Sequence, residues 1–330
     1  MIDLHLHLDG SLSKEDFIYL AKKDGISLGD DFPNNIYVPE DCPSLEEYLT
    51  RFALPLTLMQ TKENISYTVT SLVNRLYNLG YLYAEIRFAP LLHLEKGLTE
   101  EEVIDAAISG LNEGLKNKEN FDAKLILCCM RQASDEVNLR TIEAAHKINS
   151  HKIAAIDLAG PEAFRPSLSY INVFNKAMEY GLNIIIHAGE ACENDSILGA
   201  LELGATRIGH GVKLALDDEN VAKVKDITFE FCPTSNLQTK SIKTYADNPI
   251  MKFLDKGLKV TINADNMTVS NTTVLNEFKH LYKTFNLSKE IVHQLLNNSI
   301  EASFICSNKK EKFKKLLEER IDLYYNEIKK

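Results

Sequence analysis

Apolar and polar positions along the chain follow two alternating rhythms. Short apolar or β-branched runs recur at 2–8, 81–88, 124–130, 153–159, 183–187, 207–210, 228–232 and 259–263. Between most of them apolar residues return at helical spacing, as in 100–117, 139–149, 167–180 and 195–204. The runs predict eight strands, and strand-then-helix alternation predicts a parallel sheet. Eight such units close most naturally into a (β/α)8 TIM barrel, with an open doubly wound sheet as the alternative because strand order is not legible in one sequence. The first connection is unusual. About seventy residues separate the first two strands, far more than an ordinary link, and they include helical patterns at 45–56 and 65–79. Such an insertion is long enough to lid a site at the strand ends. The tail 272–330 reads as further helices. With no linker, repeat or low-complexity stretch, 1–330 is expected to be a single domain.

Composition narrows the class without changing this picture. The chain has 330 residues, 45% hydrophobic and 25% charged, with 15 Gly and 9 Pro, as a globular protein with a sizeable core does. A net charge of -10 disfavours a phosphate-tracking surface, so a small-molecule substrate is expected and nucleic acid is not. The basic stretch Lys309 to Lys315 is followed by Glu318 and Glu319 and reads as a solvated helix face. The six cysteines form no C-x-x-C pair, which predicts reduced thiols. With no leader pattern and no run of about 20 apolar residues, the expectation is a cytoplasmic protein without a membrane partner.

Chemistry concentrates at the predicted strand ends, where barrel enzymes place their sites. The first strand reads Asp3-Leu4-His5-Leu6-His7-Leu8. A period of two puts both imidazoles on one face, about 7 Å apart. Polar decoration of a solvated strand is the plain alternative, but the flanking leucines argue for a buried strand, where unpaired imidazoles are costly. Two metal ligands follow. The fifth strand delivers His187 to the barrel mouth with Glu190 three residues on, implying a third ligand and a proton carrier. The sixth supplies His210 between Gly209 and Gly211, and the eighth ends at Asp265, a carboxylate suited to the remaining metal position. Singly each is weak, since a lone strand-end histidine is as often structural. His146, His151, His280 and His293 fall in helices or connections and read as structural, and His93 reads as a loop histidine.

The ordered motifs His5-Leu6-His7-Leu8-Asp9-Gly10, Ala84-Glu85-Ile86-Arg87-Phe88-Ala89-Pro90, Asp157-Leu158-Ala159-Gly160, His187-Ala188-Gly189-Glu190, Arg207-Ile208-Gly209-His210-Gly211, Cys232-Pro233-Thr234-Ser235-Asn236 and Asn263-Ala264-Asp265 closely resemble those of the adenosine deaminase family within the amidohydrolase superfamily. The resemblance runs from Met1 to the segment around Asn298. It implies one zinc held by His5, His7, His187 and Asp265, with water completing the coordination, in agreement with the reading from the residues. The fourth strand ends without the bridging lysine or glutamate of dinuclear relatives.

What the resemblance implies chemically is hydrolysis of adenosine, and 2'-deoxyadenosine, to inosine or deoxyinosine and ammonia, a purine-salvage step. Glu190 would protonate the ring nitrogen beside the attacked carbon, while His210 and Asp265 would orient and deprotonate the water. Substrate contacts are expected at His7, Asp9, Gly160 and Asn266. Simple turns at Asp9-Gly10 and Gly160-Pro161 are the plain alternatives for two of these. Asn266 stands where many members carry a second aspartate followed by proline, and an asparagine amide can donate to a purine nitrogen without first being protonated. Two other readings stay open: a deaminase of free adenine or another 6-aminopurine nucleoside, and a non-catalytic ligand-binding barrel. The latter should have lost a ligand or the proton carrier, and here none is missing.

Overall fold

The structure, a computed structural model, describes residues 1–39 and 42–330. Its eight strands are β1 Ile2–His7, β2 Tyr83–Phe88, β3 Asp122–Met130, β4 Ile153–Ala159, β5 Ile184–Ala188, β6 Arg207–His210, β7 Thr228–Phe231 and β8 Lys259–Ile262. They are hydrogen-bonded in sequence order, every pair parallel. All eight lie where the apolar runs predict, because a strand covered on both faces can carry few polar residues.

The ring closes just past β8. Leu6 bridges to Asp265, with His7 N donating to Asp265 O at 2.7 Å and Asp265 N donating to His5 O at 2.8 Å. This contact decides for a barrel over an open sheet. Below it, side chains stitch the seam: Leu4 N donates to Asn263 Oδ1 at 2.9 Å, and Asp3 accepts from His5 N at 3.1 Å and Ala264 N at 3.2 Å. The β1–β2 register shifts between Asp3 and Leu6. The Leu4 carbonyl turns into the barrel, where Arg87 Nη2 donates to it at 2.7 Å. Alternation along β1 sends Ile2, Leu4, Leu6 and Leu8 into the main apolar core, leaving Asp3, His5 and His7 for the interior.

The long first connection contains the helices Lys14–Asp24, Leu45–Leu49, Ala53–Leu58 and Lys62–Asn78. The first was not legible as a helix from apolar spacing, but its ends carry local signals. Ser13 and Asp16 form a capping box, and Gly25 at φ 67° terminates it. The pattern at 45–56 predicts one helix, yet a 3-10 turn, Thr50–Phe52, divides it. Pro55 has no N–H and its ring collides with the carbonyl four residues back, so an unbroken α ladder is blocked there. At the other end of the chain, Val274–Phe285, Lys289–Ala302 and Ser307–Lys329 are the tail helices. The basic stretch is largely exposed on the last of them, with Lys314 paired to Glu301 at 2.7 Å and Glu311 at 2.9 Å. Among the described residues no helix is long and apolar enough to cross a membrane, and all six cysteines are free.

Removing the Asn263 amide strands the buried Leu4 N–H at the seam. Asn263→Ala is expected to lose about 1–3 kcal/mol of stability, read as a lower urea midpoint by circular dichroism; an unchanged midpoint would show that the seam holds without this stitch.

Candidate metal centre and active site

The end of β1, the ends of β5 and β6, and the residues following β8 bring His5, His7, His187, His210 and Asp265 together. His7 Nε2 and His187 Nε2 are 3.3 Å apart. Asp265 Oδ1 lies 3.6 Å from His5 Nε2 and 3.5 Å from His7 Nε2. Donors held about 2.1 Å from a tetrahedral cation stand roughly 3.4 Å from one another. His5 Nε2 is buried with no hydrogen-bond partner. Three imidazole nitrogens and a carboxylate oxygen at these separations, one of them orphaned, fit a divalent cation. The ligand atoms of His5, His7 and His187 all lie within 4.8 Å of one another, as do those of His5, His210 and Asp265. Gly209 keeps the cage open, since a Cβ there would stand 2.8 Å from His5 Cε1.

Two of the outward-facing ring nitrogens find a carboxylate. His5 Nδ1 lies 2.8 Å from Glu230 Oε2, and His187 Nδ1 lies 3.1 Å from Asp157 Oδ1. A carboxylate can only accept, so each Nδ1 carries the proton and each Nε2 presents its lone pair to the cage. Both carboxylates are themselves held by one guanidinium: Arg87 Nη1 donates to Asp157 at 2.7 Å and Arg87 Nη2 to Glu230 at 2.7 Å. Arg207 extends the layer, reaching Glu230 at 2.6 Å and Glu85 at 2.7 Å. All five of these charged groups are buried.

Burial holds His5 and His7 well below the ordinary imidazole range, keeping them neutral as ligands must be. At His187 burial acts the same way, but Asp157 outweighs it and raises the group. Burial also pushes the Asp265 carboxyl up. Two ligand-side backbones are held in the left-handed region, His210 at φ 65° and Asp265 at φ 60°, a conformation that non-glycine residues adopt at an energetic cost.

Glu190 sits beside the cage, its Oε2 3.7 Å from His210 Nε2 and its Oε1 accepting from Thr239 Oγ1 at 3.1 Å. Burial pushes its carboxyl up to about 7, and burial pushes His210 down to about 4. The loop that carries Glu190 is pinned by Glu162, whose carboxylate accepts from the backbone N–H groups of Gly189 at 2.6 Å, Glu190 at 3.0 Å, Ala191 at 2.7 Å and Cys192 at 2.8 Å. Asn236 Nδ2 lies 3.0 Å from His210 Nδ1 and fixes that ring.

Above the cage is a cleft lined by Leu45, Leu49 and Phe52 of the inserted segment, with Gly160, Glu190 and Asn266 on its walls. A second hollow shares His7, Leu49, Phe52, Ala159 and Gly160 with it and continues past Asp9 towards Met130 and Gln132. Asp9 Oδ1 is buried without a partner, and burial pushes that carboxyl up to about 6. Asn266 directs its amide elsewhere than expected: Nδ2 donates to Tyr48 Oη at 2.8 Å and to Asp265 Oδ1 at 2.8 Å.

All the residues expected at the site thus converge on one end of the barrel. His93, expected outside it, is bonded to the Met59 carbonyl at 2.9 Å, and His146 and His280 stack on Tyr180 and Tyr245. Sequence reasoning missed the supporting layer. Glu85, Arg87, Asp157 and Asn236 fell inside motifs without an assigned role, and Glu230, Glu162 and Tyr48 were assigned none. The available signal was a lone charge inside an otherwise apolar strand, as in Phe229-Glu230-Phe231 or Ile156-Asp157-Leu158.

The family model for adenosine deaminase matches residues 1–322. An adenosine deaminase of Haemophilus ducreyi is 44% identical over 322 residues, spanning 94% of this chain and 93% of that protein. One from Clostridium perfringens is 42% identical over 322 residues, spanning 95% and 96%. Among solved structures, the adenine deaminase of Arthrobacter aurescens is similar with a TM-score of 0.89 at 25% identity, covering 97% of this chain and 98% of that one.

Asp157 orients His187 without being placed to ligate through that bond. Asp157→Asn is expected to weaken metal retention about 10- to 100-fold, measured by competition with a chromogenic chelator; wild-type affinity would show that the ring is oriented without this carboxylate.

Proposed function

The chain belongs to the adenosine deaminase family and is a metal-dependent hydrolytic deaminase; on that premise we propose how its residues remove the 6-amino group of adenosine and 2'-deoxyadenosine. The observation that carries the reading is the cage of His5, His7, His187 and Asp265 beside a carboxyl, Glu190, that burial pushes up to about 7. Zinc is the proposed metal, because three neutral imidazoles and one carboxylate are ordinary zinc ligands. When bound, it supplies Lewis acidity and lowers the pKa of water towards neutrality.

The protein's own groups do the rest. Glu190, pushed up to about 7 by burial, is still partly protonated at neutral pH and delivers its proton to the purine ring nitrogen adjacent to the attacked carbon as the oxygen adds, so that no negative charge builds up on the ring. His210, pushed down to about 4, is neutral and available to take a proton from water. Asn236 and the left-handed backbone at His210 hold its ring, so that proton transfer needs no side-chain search. Asp265 shares the water's hydrogen bonding with His210 on the face of the purine that the cage presents. The proton taken up by His210 then passes to the amino group, the carbon–nitrogen bond breaks to release ammonia, and the hydroxyl proton of the tetrahedral centre returns to Glu190 as the carbonyl of inosine forms.

The second hollow supports a nucleoside over a free base, since adenine would leave it unfilled and Asp9 Oδ1 without a partner. A sugar hydroxyl supplies the donor that this oxygen lacks. The Gly160 N–H, on the shared wall, is the proposed partner of a second ring nitrogen. His7 lines both hollows and bounds the substrate on the metal side.

Deamination is followed by the ultraviolet change as adenosine becomes inosine, with adenine, deoxyadenosine and AMP compared beside it. Glu190→Gln cannot donate the proton and is expected to lose about 10²- to 10⁴-fold in kcat; turnover near the parent rate would eliminate Glu190 as the acid. A carboxyl raised to about 7 is protonated below that pH and loses its proton above it, so kcat/KM should fall as pH rises through about 7. A profile flat from about 5 to 9 would contradict this assignment.

A further inference from the structure

The inserted segment touches the polar wall of the site through one hydroxyl. Tyr48, on the helix Leu45–Leu49, is buried at 3% exposure and clusters with Val38, Cys42 and Val269. That packing fixes its ring while the side chain lines the cleft above the cage. Its oxygen is hydrogen-bonded to Asn266 Nδ2 at 2.8 Å and Ser270 Oγ at 2.7 Å, with the Ser235 side chain also beside it.

Proton counting limits these contacts. An amide nitrogen carries two protons, and those of Asn266 are directed at Tyr48 Oη and Asp265 Oδ1. Its Oδ1 is buried without a partner and faces Gly10, where a Cβ would come within 1.8 Å of it. Asn266 therefore has no free proton for a ligand. A phenol has one proton and two lone pairs. Asn266 fills one lone pair. Ser270 Oγ has no other side-chain partner among the described residues, and when its proton fills the second, the Tyr48 proton is left to point towards the cleft, on whose wall the Ser235 hydroxyl stands nearby without a partner of its own.

We infer that Tyr48, rather than Asn266, donates the hydrogen bond that reads the imidazole-ring nitrogen of the purine, N7. This rests on the adenosine reading above. N1 and N7 flank the amino-bearing carbon on opposite sides. Glu190, beside His210, takes the N1 side, whereas Tyr48 and Asn266 stand beside Asp265 at the β8 end of the cage. N7 has a lone pair and no proton, so it needs a donor. A hydroxyl that already accepts two hydrogen bonds is polarised to be one. The inserted segment thereby discriminates among bases as well as roofing the site.

The test is the affinity of inosine against 7-deazainosine, which has C–H in place of N7, measured by calorimetry so that it does not depend on turnover. The wild-type enzyme should bind inosine about ten-fold more tightly. Tyr48→Phe keeps the packed ring and should bring the ratio close to one, while Asn266→Ala, which leaves the Tyr48 hydroxyl and Ser270 in place, should keep most of it. Wild-type discrimination retained in Tyr48→Phe and lost in Asn266→Ala would overturn the inference in favour of the amide. A wild-type ratio of one would overturn it by showing no N7 contact. Failure of the wild type both to bind either nucleoside and to deaminate adenosine would overturn the substrate reading along with it.

Discussion

Arg87, buried inside the barrel, holds Asp157 and Glu230 each at 2.7 Å, and those carboxylates hold His187 and His5. Removing a guanidinium from water is expensive, and ion pairs in a dry interior often return no net stability. What this one returns is direction. It holds two carboxylates in place, and each fixes the tautomer of a histidine, so that two Nε2 lone pairs face the cage. Without that layer the same imidazoles would have no reason to face each other at ligand distances. Arg87 also takes the inward-turned Leu4 carbonyl, so a single side chain serves both the closure of the barrel and the geometry of the cage.

Closure and chemistry are coupled at the seam as well. The chain leaves β8 through Asp265, whose backbone makes the hydrogen bonds that join it to β1 and whose carboxylate faces His5 and His7. A left-handed backbone at Asp265, and again at His210, turns side chains inward at points where a regular strand would carry them past the cage. This strain is sustained because seam hydrogen bonds and close packing leave those residues no other arrangement. The glycines are used sparingly for the same end, Gly209 giving space to the His5 ring.

Opposite demands are met on the two sides of the cage by controlling solvent. The proposed chemistry asks Glu190 to hold a proton and His210 not to, and burial drives both in that direction, because it disfavours the charged form of an acid and a base alike. The inserted helices supply the apolar roof, and Glu162 supplies four backbone hydrogen bonds that keep the Glu190 loop in register beneath it.

By itself the sequence determined the eight strands and the barrel rhythm, and it singled out His5, His7, His187, Glu190, His210 and Asp265 as the candidate cage and acid residues that the structure brings together, because strand periodicity and buried polarity are local properties. Helix interruption at Pro55 and the capping of Lys14–Asp24 were also written locally, although apolar spacing alone did not reveal them. Only tertiary structure decided that β8 returns to β1 and that Glu230 serves His5 across 225 positions of sequence. It likewise brought Tyr48 against Asn266, 218 positions away, so that the expected amide donor is already engaged. Such pairings depend on which strands become neighbours in the closed ring and on how the insertion folds over it. A pattern that repeats every two or 3.6 residues carries no record of either.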